Sequence, residues 1–369
     1  MPTNESGSVS APLAALVRRA IERDGGWLPF DRFMAMALYA PGLGYYARDS
    51  RQFGLLPASG SDFVTAPELS PLFGRALARQ VAQALDGCGA AEVWEFGAGS
   101  GALAKQLIEA LGARLQRYRI VEVSGALRAR QRETLAAHAA RVEWLDALPQ
   151  RLDGVVVGNE VLDAMPVQLL HFDGQRWLER GVSAAGEGFA WADRPTHLRP
   201  PHEAAFVPGT VTEIHPQALA FVSTLAERLG RGAAFFVDYG FPAHEYYLPQ
   251  RRGGTLMCHR AHRADTDPLA DVGEKDITAH VDFTGIALAG QAAGLDVLGY
   301  TTQARFLMNC GLLQDLAGAP VPVIAHAQKL LNEHEMGELF KVIGFAKGCD
   351  VAFAAAPIGF AAGDRTHTL

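Results

Sequence analysis

Glu95, Gly97, Gly99, Gly101 and Glu122 are the residues whose types and spacing point most directly to chemistry. Val93-Trp94-Glu95-Phe96 reads as a short apolar strand, Gly97-Ala98-Gly99-Ser100-Gly101 as a tight turn, and Ala102-Leu103 as the opening of a helix. A turn without β-carbons lets backbone approach a ligand closely. The helix start that follows points free N–H groups into the same crevice. Glu122 ends a second strand-like run, where a carboxylate can accept both hydroxyl hydrogens of a ribose. The pattern therefore predicts a nucleoside-cofactor site. Gly97-x-Gly99-x-x-Ala102 also fits the relaxed dinucleotide fingerprint, and a turn that binds nothing is the bland alternative. Three features favour S-adenosylmethionine over NAD(P). Glu95 stands two residues before the first glycine, where an acid can meet an amino group; the third glycine follows after one residue; and nothing nearby supplies further phosphate ligands.

Other constellations lie further along. Asn159-Glu160-Val161-Leu162-Asp163-Ala164-Met165-Pro166 directly follows the strand-like Val155-Val156-Val157-Gly158. Glu160 and Asp163, three apart on one helical turn, could hold a planar guanidinium by bidentate hydrogen bonds; a capped helix start with solvated acids explains them equally well. Asn159 could contact the cofactor or the nucleophile. The Asn/Asp-Pro-Pro-Tyr/Phe box of adenine and glutamine N-methyltransferases is absent here, which speaks against those substrates. Asp146, after the third strand, could accept from the adenine amino group. Asp238 ends Phe235-Phe236-Val237 and could position a substrate or cap a loop. In Asp276-Ile277-Thr278-Ala279-His280-Val281-Asp282-Phe283, His280 could be a base, a substrate contact or a structural residue, and either aspartate could be an N-cap. The spacing matches no standard metal site.

These residues need a scaffold. From Val93 onward strand and helix patterns alternate, the mark of a doubly wound, mostly parallel α/β sheet. The expected strands are 92–96, 118–123, 141–144, 154–158, 233–238, 295–300 and 338–346, with helices over 101–112, 125–138 and 284–294. The Asp173-Gly174 turn predicts a hairpin, and Leu178 to Trp191 alternates as a further strand pair. Residues 193–209 read as loop. The stretch 165–210 is thus a β-rich insertion after strand four, covering the edge where ligands of open α/β sheets bind. A second insertion, 240–281, shows little periodicity. Residues 1–90 read as a mostly helical N-terminal extension or cap and 91–369 as the catalytic domain. Within the extension, residues 1–10 form a frayed tail, helices cover Leu13 to Arg23 and Phe30 to Tyr39, a glycine-rich aromatic loop runs from Gly44 to Phe63, and a further helix starts at Thr65-Ala66-Pro67.

The composition is that of a globular chain: 369 residues, 49% apolar, formal charge −7. The acidic balance argues against sequence-independent nucleic-acid binding. Cys88, Cys258, Cys310 and Cys349 stand far apart without a CxxC pair, pointing to a reducing compartment with neither disulfide framework nor zinc. No run of eighteen apolar residues predicts a membrane span, and no basic-then-apolar leader opens the chain. A soluble, cytoplasmic protein is expected.

The runs Gly60-Ser61-Asp62-Phe63-Val64-Thr65-Ala66-Pro67-Glu68-Leu69-Ser70-Pro71-Leu72-Phe73-Gly74, Glu95 to Gly101, Asn159 to Val167, Asp238-Tyr239-Gly240, Arg252-Gly253-Gly254-Thr255-Leu256 and Asp276 to Phe283 together resemble the MidA-like family of class I methyltransferases. The resemblance implies a seven-stranded class I sheet, S-adenosylmethionine as cofactor, and ω-nitrogen methylation of arginine in a protein. The alanine- and arginine-rich composition has a bacterial look. Glu95, Gly97, Gly99, Gly101, Glu122 and Asp146 would hold the cofactor; Asn159, Glu160 and Asp163 would do the chemistry; Asp238 and His280 would meet the substrate. The implied partners are a protein substrate, a respiratory-complex subunit among the candidates, and a second copy of the chain. Rival readings are a non-catalytic S-adenosylmethionine-binding assembly factor, a nicotinamide-dependent oxidoreductase, and a methyltransferase acting on a small molecule or RNA.

Overall fold

Seven strands carry the architecture: β1 (Glu92–Phe96), β2 (Arg117–Val121), β3 (Val142–Leu145), β4 (Leu152–Asn159), β5 (Leu229–Phe241), β6 (Asp296–Thr302) and β7 (Phe340–Lys347). Their order across the sheet is β3-β2-β1-β4-β5-β7-β6, and the chain reverses its direction of travel between β1 and β4. The first five run parallel, while β7 is antiparallel to both β5 and β6. The central strands are apolar throughout because both faces are covered: Val155, Val156 and Val157 of β4 are all buried. The computed structural model describes residues 10–48, 64–260 and 263–369. The expected tail over residues 1–9 and the part of the glycine-rich loop over 49–63, with the Gly60–Phe63 end of its motif, lie outside the described residues.

Three cores follow from this layout, one of them packing Val156, Phe236 and Ile343 of the sheet against Val222, Leu225, Phe283 and Ile286. On one face of the sheet, helix Pro71–Cys88 sends Leu72, Phe73, Leu77, Val81 and Leu85 against Val93, Val155 and Phe235. A continuous helix from Thr65 does not form. Ala66–Leu69 makes one turn, Ser70 breaks to an extended conformation ahead of Pro71, and its side chain caps the new helix at Leu72 N (3.3 Å). The remaining core lies away from the sheet. Helices Ser10–Arg23 and Phe30–Tyr39 pack Leu13, Val17, Phe30, Phe33 and Met34 against Val167, Leu169 and Val182 of the insertion, with Cys258 and Ile277 closing it. Residues of the N-terminal extension thus contribute to two of the three cores.

The first insertion is an antiparallel sheet in which Gln168–Phe172, Trp177–Ala185 and Gly188–Pro195 run as hairpins. Leu28–Pro29 and Thr210–Ile214 extend it at either side. The second insertion, without visible periodicity, nevertheless contains three paired strands, Met257–Arg260, Arg263–Asp265 and Asp276–Thr278. They are too short for an alternation to stand out, and their polar residues do not mark a solvent face: Asp276 and Thr278 are buried, while Arg260 and Arg263 are exposed.

The cysteine expectation is corrected. Cys88 and Cys349 form a disulfide although 261 residues separate them. The end of helix Pro71–Cys88 meets the chain just after β7, where Asp350 N donates to the Gly87 carbonyl at 2.8 Å. That encounter is set by the sheet order and leaves no trace in cysteine spacing.

Candidate active site

A cavity of about 750 Å³ opens where β1, β2 and β4 reach their C-terminal ends. Its floor is the glycine turn. Gly97, Gly99 and Gly101 have φ of 65°, 51° and 85°, a region that costs an L-residue energy. A β-carbon on Gly97 would stand 2.7 Å from Val161 Cγ2. Ala102 then opens the helix Ala102–Leu111 beneath the cavity.

Glu95 points into this space from β1 with 2% of its surface exposed. Its Oε2 accepts from the Tyr118 hydroxyl at 2.8 Å. Burial pushes its carboxyl up to about 8, and the tyrosine bond offsets only part of the shift. Glu122 follows β2 and accepts from Ser124 N at 2.8 Å and from Gln131 Nε2 at 3.3 Å; burial raises its pKa as well. The same Gln131 amide donates to the Gly99 carbonyl at 3.1 Å, so one side chain ties the ribose-side acid to the glycine turn. Val123, Ser124 and Leu127 continue the wall. Asp146 is not brought here. It pairs with Arg128, its side chain is 85% exposed, and it is not among the lining residues.

On the other side, Asn159, Glu160 and Asp163 all line the cavity. The expected helical turn does not exist. Residues 160–165 form an irregular bend in which Glu160 has φ of 54°, a left-handed conformation that non-glycine residues adopt mostly where their surroundings enforce it. Asp238 supplies that enforcement: its Oδ2 accepts from the N–H groups of Val161, Leu162 and Asp163 at 3.1, 2.9 and 3.3 Å. It is 1% exposed and outside the cavity lining, so it shapes the acidic loop and does not face the substrate space.

Glu160 is held by Asn159 Nδ2, which donates to Oε1 at 2.9 Å, and by the Ala66 N–H. Burial first, then the neighbouring Asp163 charge, push its carboxyl up to about 8. Burial likewise lifts Asp163 to about 6 against hydrogen bonds that favour its charge. Asn159 Oδ1 and Asp163 Oδ1 are buried acceptors without a hydrogen-bond partner in the protein. Such atoms are costly unless something else satisfies them.

His280 reaches the cavity because Val281–Asp282 pairs with the end of β5, where a β-carbon on Gly240 would meet the Val281 carbonyl at 2.1 Å. The ring stacks on Phe241 (5.3 Å, 3° between planes) and meets the edge of Tyr239 at 5.0 Å. Burial, then Arg251, lower its pKa to about 4, so the ring is neutral at pH 7. Asp282 caps the helix Phe283–Ala292 through Gly285 N at 3.2 Å. Sequence reasoning did not single out Tyr39, Tyr46, Tyr239 or Asp276 as site residues, yet all four line the cavity. Three of them come from segments far apart in the chain, and no local spacing announces their meeting.

The residues present fit S-adenosylmethionine. A buried carboxylate faces the space over a glycine-rich turn, a second stands at the end of β2, apolar side chains such as Leu103, Val121 and Leu127 line the wall near them, and Asn159 offers an unused acceptor. Among the described residues no group of histidine, cysteine and acidic side chains could hold a metal, and no helix is long and apolar enough to cross a membrane.

Comparison with known proteins agrees with this geometry. A family model described as S-adenosyl-L-methionine-dependent methyltransferase matches residues 76–301. The crystal structure of a Burkholderia thailandensis protein described as a methyl transferase, bound to S-adenosyl-homocysteine, is 53% identical, with a TM-score of 0.94 over 100% of this chain and 99% of that one. The mitochondrial protein arginine methyltransferase NDUFAF7 homolog of Caenorhabditis elegans is 25% identical across 79% of this chain and 74% of its own length. Human mitochondrial protein arginine methyltransferase NDUFAF7 is 27% identical across 85% of this chain and 79% of its own length.

Proposed function

The chain belongs to the family of S-adenosylmethionine-dependent methyltransferases, and from that membership we propose that it methylates an ω-nitrogen of arginine in a protein substrate. The observation that carries this reading is the set of acidic side chains lining the cavity, whose ionised forms a bound cation favours. Glu68, Glu95, Glu122, Glu160, Asp163 and Asp276 line it, and no lysine or arginine does so among the described residues. A space walled in this way attracts a cation and repels a carboxylate or phosphodiester acceptor. The curated relatives named as protein arginine methyltransferases support the same class of acceptor.

In this mechanism Glu95 holds the cofactor's amino group, Glu122 its ribose hydroxyls, and the glycine turn admits its backbone-facing edge. When bound, S-adenosylmethionine supplies a methyl group carried on a positively charged sulfur. Glu160 and Asp163 accept N–H bonds from the guanidinium and fix its plane, so that positioning is the main catalytic contribution. A guanidinium nitrogen must shed one proton as it gains a methyl group. Glu160, its ionised form favoured by the guanidinium bound beside it, would be suited to take that proton, because burial that raises its carboxyl to about 8 makes it a stronger base than an ordinary carboxylate.

The test is incubation with methyl-labelled S-adenosylmethionine and lysate proteins, followed by acid hydrolysis. The reading expects label in ω-N-methylarginine. Label confined to RNA, small molecules or another side chain would overturn it. Binding of S-adenosyl-homocysteine with no label anywhere would replace it with the assembly-factor reading.

A further inference from the structure

Three chain segments converge on the acceptor side of the cavity, and three hydrogen bonds join them pairwise. Tyr39 O–H donates to the Ala164 carbonyl at 2.8 Å, Ala279 N to the Asp163 carbonyl at 3.0 Å, and Tyr46 O–H to Asp276 Oδ1 at 2.8 Å. Asp276 is 4% exposed and lines the cavity. The rings of Tyr39 and Tyr46 stack at 5.6 Å with 21° between their planes, and both line the same space. Asp163 Oδ1, buried and without a protein partner, is also in this wall.

We propose that Asp276 is a substrate-binding carboxylate held in place by Tyr46, and that with the Tyr39–Tyr46 ring pair it makes the acceptor site select a guanidinium over a primary ammonium. This rests on the arginine reading above. A guanidinium presents N–H groups along several edges of one plane and offers two flat faces. Glu160 and Asp163 can occupy one edge; an acid on the strand Asp276–Thr278 supplies acceptors from a different segment, and tyrosine rings suit a flat cation. An ammonium is compact, with three donors and no face to stack. Tyr46 acts through Asp276 and is a positioning residue.

The test measures steady-state methylation of a short arginine peptide and its lysine counterpart, with calorimetric titration of S-adenosyl-homocysteine alongside. Asp276→Asn should raise KM for the arginine peptide about tenfold or more while leaving kcat within about threefold. Affinity for S-adenosyl-homocysteine should stay unchanged, and the arginine-over-lysine preference should shrink. Tyr46→Phe, which removes one hydroxyl and keeps the ring, should shift KM in the same direction by a smaller factor. It also keeps the proposal falsifiable where Asp276→Asn does not fold. An unchanged KM in the folded variants, with wild-type protein methylating arginine, would overturn this inference alone. Wild-type protein that methylates no arginine peptide would overturn the arginine reading and this inference together.

Discussion

Cofactor affinity should depend steeply on pH through Glu95. In the free protein its carboxyl titrates near 8, because 98% of its surface is removed from water and only Tyr118 compensates. Pairing with the cofactor's ammonium needs the ionised form. Below pH 8 each binding event must therefore first remove a proton, and the observed affinity scales with the ionised fraction. That fraction is roughly one half at pH 8 and roughly one hundredth at pH 6, so affinity for S-adenosyl-homocysteine should fall about 50-fold between them. The direction for folding is opposite. A carboxyl raised in the folded state binds its proton more tightly there than in the unfolded chain. Its contribution to stability is complete below the unfolded value and is lost as pH rises toward 8. Ligand should therefore restore stability most at alkaline pH. Calorimetric titration across pH 6 to 8 reads the affinity. Glu95→Gln keeps the Tyr118 contact but cannot ionise, so it should bind more weakly at pH 8 with a flat profile. A flat profile in the wild-type protein would refute the assignment of Glu95 to the ammonium.

Further expectations concern the scaffold. Gly97→Ala places a methyl group against Val161 at a positive φ, so S-adenosyl-homocysteine affinity should fall at least about tenfold in the same titration. Asp238→Ala strands three N–H groups, two of them buried; urea unfolding should show a loss of about 3 kcal/mol or more, with methylation falling further than cofactor binding. Cys349→Ser opens a link across 261 residues and should lower unfolding stability by about 2–5 kcal/mol, leaving S-adenosyl-homocysteine affinity unchanged.

What could be read from residues alone followed local signals. The seven strands were legible because buried parallel strands such as Val155-Val156-Val157 are apolar runs bounded by turn residues. Glu95 and Glu122 stood out because a glycine turn fixes where an acid can matter. The misses are nonlocal. Asp146 follows the third strand, the place expected for an acid serving adenine, but Arg128 is within reach and claims it. Glu160 and Asp163 show helical spacing, yet the Asp238 carboxylate, 75 to 77 residues from the N–H groups it accepts, orders a non-helical bend. Tyr46 meets Asp276 across 230 residues, and the cysteine pair closes only when the sheet order is known. Each depends on where the topology carries a segment, which no window of sequence contains.

The central claim is that Glu160 holds and deprotonates the acceptor while other residues bind the cofactor. The most direct measurement compares wild-type protein with Glu160→Gln for both S-adenosyl-homocysteine affinity and methylarginine formation. The account predicts affinity within about twofold of wild type and turnover reduced at least about a hundredfold. A variant that still makes methylarginine at the wild-type rate would contradict it.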